Sequence, residues 1–275
     1  MGLVLDEKLK PIIDRVQVNI PFGMFFDGYL ELFESEGLNP EICMDADALE
    51  RYSMADFKKI AGIFKSNGRT ITFHGPFADM VPGSQDPAFL QLTRKRLQQM
   101  VALIEVFEPL TIVCHPGYDF RRHSYYREAW LATSLETWRE VGNAISRAGS
   151  RLMLENVYET DPGQMLPLFS QLAGPDIGFC FDVGHHYAFG NVPLDDWLAE
   201  LGPYLGQLHL HDNSGADDEH RALGQGAIAL DPLFDSLLKR ADNLPVLTLE
   251  PHRVEDLVPS LEYLQEKLVW IWLSR

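Results

Sequence analysis

The chain has 275 residues, 46% apolar and 23% charged, and its 23 Lys and Arg stand against 40 Asp and Glu for a formal net charge of -17 at pH 7. So acidic a balance excludes a broad cationic footprint for nucleic acid and leaves room only for a local basic groove. No Pro/Gly/Ser-rich linker or charge block divides the chain, so one domain over residues 1–275 is expected. No run of eighteen uninterrupted apolar residues occurs. The start, Met-Gly-Leu-Val-Leu-Asp-Glu-Lys, has no basic region ahead of an apolar run, so the expectation is a cytoplasmic protein with no membrane partner. Cys43, Cys114 and Cys180 each sit in an apolar run without Cys-x-x-Cys spacing and read as buried, reduced core residues.

In chain order, short apolar runs bounded by turn residues read as strands at 16–22, 41–44, 70–74, 111–115, 151–157, 177–182, 206–211 and 245–251. Amphipathic stretches between them read as helices at 27–35, 53–66, 86–107, 124–148, 162–172, 194–201, 231–240 and 255–267. Ser53 and the pair Asp86-Pro87 supply cap residues at two of the helix starts. Strands that are apolar throughout are buried on both faces, and eight of them alternating with eight helices predict an α/β fold, a closed (β/α)8 TIM barrel. The alternative is an open doubly wound sheet, against which stands the lack of a Gly-rich phosphate loop after the first strand. The apolar tail Leu268-Val-Trp-Ile-Trp-Leu273 is expected to pack on the barrel or to serve as an oligomer contact.

Barrel enzymes carry their chemistry at the C-terminal ends of the strands. The third run ends in Phe73-His74-Gly-Pro, the fourth in Cys114-His115-Pro-Gly, the fifth in Leu154-Glu155-Asn, and the sixth in Phe181-Asp182-Val-Gly-His185. The seventh gives His209, followed in its loop by Asp218 and His220, and the eighth ends in Leu249-Glu250-Pro-His252. Five imidazoles and four carboxylates thus converge on one rim, and uncompensated carboxylates in one concave mouth are costly unless cations neutralise them. Mixed His/Asp/Glu donors without thiolate suit divalent zinc, manganese or iron. The Gly224-x-Gly226 after this loop is placed to let backbone pass close to a neighbour.

The ordered series His-Gly-Pro, His-Pro-Gly, Leu-Glu-Asn, Asp-Val-Gly-His, His-Leu-His-Asp-Asn, Asp-x-His-x-x-Leu-Gly-x-Gly and Leu-Glu-Pro resembles the xylose-isomerase-like TIM-barrel superfamily. That superfamily includes sugar isomerases and epimerases and the AP-endonuclease family 2, or endonuclease IV, enzymes. The resemblance covers the third to eighth strands. Its isomerases imply a smaller metal core, here Glu155, Asp182, His209 and Glu250. Its endonuclease IV pattern implies up to three zinc ions: one on His74, His115 and Glu155, one on Glu155, Asp182, His209 and Glu250, and one on His185, Asp218 and His220.

Two chemistries are open to such a centre. Neighbouring metals can hydrolyse a phosphoester, and a single metal can support isomerisation or epimerisation with Glu155 and Glu250 exchanging a proton with carbon. The filled set of nine ligand positions favours hydrolysis of a small phosphorylated substrate. A sugar or sugar-phosphate isomerase or epimerase is the alternative, and a metabolite-binding module without turnover is a third class. Only 24 residues separate His185 from His209 (209 - 185), and they must include a helix. Little remains for a loop that could grip a duplex, so duplex DNA is not expected as substrate. Arg221, His211, His252 and Phe77 are candidate substrate contacts. Tyr118, Asp119 and Arg121 are a candidate lid, His186 and Arg253 read as structural or solvated, and His123 reads as surface.

Overall fold

A computed structural model describes residues 4–172, 176–238 and 244–273, with the side chains of 238 and 269–273 excepted. Its strands are β1 (Val16–Pro21), β2 (Asn39–Cys43), β3 (Thr72–His74), β4 (Thr111–Cys114), β5 (Arg151–Glu155), β6 (Ile177–Asp182), β7 (Leu205–Leu210) and β8 (Val246–Leu249). They pair in chain order, all parallel, and β8 closes on β1 with Val16 opposite Leu247 and Val18 opposite Leu249. Residues that alternate out of the strands, such as Ile42, Phe73, Ile112, Leu152, Phe181, Leu208 and Leu249, are buried under the helices. Those that alternate inward fill the barrel. Val113, Met153 and Cys180 form a small apolar cluster there. Three cysteines are free and buried, as expected.

Helix boundaries follow their caps. Ser53 and Asp56 form a reciprocal capping box at the start of Met54–Ser66, and the Asp86 carboxylate accepts from the Ala88 amide ahead of Pro87–Val101. The single helix expected over 86–107 is two, Pro87–Val101 and Ile104–Phe107. A short helix, Val183–Phe189, leaves β6 directly and was not expected. His123 is buried rather than at the surface: its ring stacks on Trp130 at 5.9 Å, and its Nδ1 accepts from the Asp119 amide at 2.9 Å. Of the apolar tail, Leu268 is buried, while the side chains from 269 onward lie outside the described residues. Among the described residues no helix is long and apolar enough to cross a membrane.

Candidate metal centre

The strands deliver the expected donors to one end of the barrel. His74 is the last residue of β3, Glu155 the last of β5 and Asp182 the last of β6, while His115 and Glu250 directly follow β4 and β8. His209 points inward from β7, two residues before the loop that carries Asp218 and His220. His185 comes from the first turn of Val183–Phe189, whose cap is Asp182: the carboxylate accepts from the His185 amide at 2.6 Å. The loop after β7 is closed by a two-way backbone bridge between Asp212 and Arg221. The Asp212 carboxylate also accepts from the amides of Gly224 and Ile228 at 3.0 and 3.1 Å. A Cβ on Gly226 would stand 2.1 Å from the Asp212 carboxylate, which is the close approach that the Gly-x-Gly pattern allows.

Glu155 joins the halves of the centre. Its Oε2 lies 3.3 Å from Nε2 of both His74 and His115, and its Oε1 lies 3.4 Å from Nδ1 of His209. The same His209 nitrogen is 3.1 Å from Glu250 Oε1 and 3.9 Å from Asp182 Oδ2. Asp218 Oδ2 stands 3.2 Å from His185 Nε2 and 3.0 Å from His220 Nε2. Among the described residues five overlapping groups of donors are close enough to share a cation, including His74–His115–Glu155, Glu155–Asp182–His209 and His185–Asp218–His220.

These donors fit divalent cations in a way that mutual hydrogen bonding does not explain. Glu155 Oε2, both nitrogens of His209 and Asp218 Oδ1 are buried without an aligned hydrogen-bond partner. Donor atoms about 2.0 to 2.1 Å from a tetrahedral zinc stand roughly 3.3 Å from one another while pointing at a common centre. That is the spacing of Glu155 Oε2 from the two imidazoles. Tautomers are set to match. Nδ1 of His74, His185 and His220 faces the backbone carbonyls of Gly75, Asn156 and Glu250, each at 2.9 Å. A carbonyl can only accept, so the proton sits on Nδ1 and the Nε2 lone pair faces the centre.

Electrostatics agree. Burial opposes charge on His185, yet Asp182, Asp218 and Glu155 around it hold its pKa well above the ordinary imidazole value. His220 is raised to about 9, burial being outweighed by Asp218 and Glu250. Burial likewise opposes the charge on Glu155, but His209 and His115 hold its carboxyl well below the usual range. The donors are thus carboxylates and imidazoles competing for protons that a cation would displace.

The remaining candidates divide. Phe77 is 44% exposed at the mouth, with its ring 5.4 Å from that of His74 and 5.1 Å from that of His115. His252 also lines the mouth and stacks on His220 at 3.7 Å. Burial and the charge on His220 push the His252 pKa down to about 4. His211 and Arg221 do not line the mouth. The buried His211 lies behind Asp182, 3.1 Å from both carboxylate oxygens, because Gly184 leaves space for its ring. The Arg221 guanidinium is held by Glu219. Tyr118 is buried against Trp130, and it lines the mouth together with Asp119, Arg121 and Arg122. The mouth encloses about 1590 Å³.

Sequence reasoning missed two residues here. Glu41, wholly buried inside the barrel, has Oε1 3.0 Å from His209 Nε2. Asn19 donates from its side chain to Glu41 Oε1 at 3.1 Å and to Glu250 Oε1 at 3.2 Å.

A parallel eight-stranded barrel with histidines and carboxylates gathered at the C-terminal ends of its strands defines a TIM barrel with a candidate metal centre. The chain belongs to the xylose isomerase-like TIM barrel family, whose sequence profile matches residues 36–271. An uncharacterized protein of Methanocaldococcus jannaschii is 28% identical over 205 residues, 72% of this chain and 70% of that one. The TTHB071 protein of Thermus thermophilus, whose crystals were soaked with zinc chloride, superposes with a TM-score of 0.78 at 28% identity, covering 92% of this chain and 98% of the other. A D-tagatose 3-epimerase-like protein superposes with a TM-score of 0.79 at 23% identity, covering 94% and 99%.

Proposed function

We propose that this protein is a metal-dependent enzyme that hydrolyses a phosphoester of a small substrate at a centre of up to about three divalent cations, zinc before manganese or iron. The observation that carries the reading is the completeness of the donor set. His74, His115, Asp218 and His220 are surplus to a one-metal isomerase, yet they stand within 3.3 Å of another donor of the centre (His74 and His115 from Glu155, His220 from Asp218). Cations held there would supply a hydroxide at neutral pH and neutralise phosphate charge. Glu155, facing His74, His115 and His209, and Asp218, facing His185 and His220, would hold neighbouring positions together. Arg121 and Arg122 bring positive charge to the rim of an acidic chain, where it suits an anionic substrate. Phe77 offers a face to stack on, and His252 a neutral imidazole beside His220.

Epimerisation or isomerisation of a sugar or sugar phosphate is the second reading. It is favoured by Glu155 and Glu250 reaching the same nitrogen of His209, which puts two carboxylates beside one cation position, and by the likeness of the fold to a D-tagatose 3-epimerase-like protein. Duplex DNA suits neither reading. The segment between β6 and β7 is taken up by the helices Val183–Phe189 and Leu194–Glu200, which leaves little loop to wrap a duplex.

Metal analysis with two substrate assays tests the choice. About three ions per chain and turnover of a bis-aryl phosphate are expected. One ion per chain, with solvent hydrogen entering a ketose and no phosphoester cleaved, would establish the second reading. Tight metabolite binding with neither product would make the protein a binding module.

A further inference from the structure

We propose that Glu41 is the positioning residue of this centre: it fixes His209 as a ligand through Nδ1, the reverse of the other imidazoles. The inference deepens the metal-centre reading and rests on it. His74, His185 and His220 each have Nδ1 held by a backbone carbonyl. His209 has none: it projects into the barrel from β7, whose backbone is engaged with β6 and β8. Its Nδ1 faces Glu155, Asp182 and Glu250, and its Nε2 faces down the barrel toward Glu41, 3.0 Å away.

Glu41 is built to stay an anion there. Thr72 and Thr248 donate hydroxyl hydrogen bonds to its Oε2 at 3.1 and 3.0 Å, the Gln207 amide donates to the same oxygen, and Asn19 donates to Oε1. Gln207 is oriented in turn, with its own Oε1 accepting from Thr111 at 2.6 Å. So many donors around one fully buried carboxylate offset the cost of burying its charge. The contact with His209 is an ion pair rather than a straight hydrogen bond, since Nε2 lacks an aligned partner. Charge alone still decides the tautomer. A lone pair on Nε2 would face an anionic oxygen at 3.0 Å, whereas a proton there is attracted to it and leaves the Nδ1 lone pair for a cation. Asn19 extends the support to a second ligand, since its amide bridges Glu41 and Glu250.

The test reads the imidazole directly. In 15N-labelled, zinc-loaded protein, His209 is expected to carry its proton on Nε2 with Nδ1 as the liganded nitrogen; zinc on Nε2 overturns the proposal. In competition with a chromophoric chelator, Glu41→Gln is expected to weaken zinc binding by about 10- to 100-fold, while Thr72→Val, which strips a donor from the same carboxylate without touching His209, changes it by less than about 3-fold. Equal losses in the two variants, or none in Glu41→Gln, would reduce Glu41 to a structural residue. If Glu41→Gln fails to fold, the wild-type spectrum decides alone. If the wild-type chain takes up no divalent cation, the proposed function fails instead. The neutral ring of His209 in metal-free protein then scores Glu41, with Nε2–H in its favour and Nδ1–H against it.

Discussion

Glu155 carries two jobs on one side chain, because its oxygens face different imidazoles: Oε2 faces His74 and His115, Oε1 faces His209. Replacing it with Gln removes the charge from both, so Glu155→Gln is expected to abolish hydrolysis and isomerisation alike and to lower metal content. Asp218 discriminates. It touches only His185 and His220 among the proposed ligands, so Asp218→Asn is expected to cut phosphoester hydrolysis by about 10- to 100-fold and to spare a one-metal isomerase. Unchanged hydrolysis of a bis-aryl phosphate by Asp218→Asn would remove that site from the mechanism. His74, His115, Glu155 and Glu250 are legible in sequence because each stands at a strand end beside Gly, Pro or Asn. Glu41 is not. It sits within Asn-Pro-Glu-Ile-Cys, where Pro40 already discourages a strand reading, and its partners Thr72, Gln207 and Thr248 are distant in the chain. His211 was legible as a polar residue at a strand end, but not its direction, which depends on the space above Gly184.

Among elements, the short helix Val183–Phe189 matters most, and its sequence hides it. Val-Gly-His-His-Tyr-Ala-Phe contains β-branched, glycine and aromatic residues of modest helix propensity, so the stretch reads as the end of a strand. What starts the helix is the Asp182 cap, and the same carboxylate receives His211. One side chain therefore ties β6, the helix and the segment after β7 together. Gly184 makes this meeting feasible, since a Cβ there would stand 1.8 Å from the His211 ring. Gly184→Ala must displace that ring from Asp182, with an expected cost of about 1 to 3 kcal/mol in thermal unfolding and weaker metal binding. A variant as stable as the wild type, with unaltered metal affinity, would show that the His211–Asp182 contact is dispensable. The strands were easier to read, because a barrel strand buried on both faces announces itself as an unbroken apolar run, whereas β2 was read two residues short at its proline.

At the scale of the whole molecule, a chain of net charge -17 concentrates buried carboxylates and imidazoles at one end of a barrel, and the protons they share couple folding to pH. The sign follows from His220. Its pKa in the folded metal-free protein is about 9, against about 6.5 for an unperturbed ring, so the folded state holds a proton that the unfolded state has released between those values. That contribution is fully present below pH 6.5 and disappears as pH rises through 9; His185 and His209, also raised, add in the same direction. Asp218, whose carboxyl is held below its ordinary range by burial-opposing contacts from His185 and His220, contributes stability that is lost on acidification below pH 4. For His220 the difference between 6.5 and about 9 is worth about 3 kcal/mol, enough to lower the melting temperature by roughly 5 to 10 °C. The chelator-treated protein is therefore expected to melt progressively lower from pH 6.5 to 9.5. The zinc-loaded protein should lose most of that slope, because a cation in place of the ring protons removes the linkage. Parallel melting curves for the two forms across this range would mean that the imidazoles do not exchange their protons for metal, and that the donors converge at the mouth for another reason.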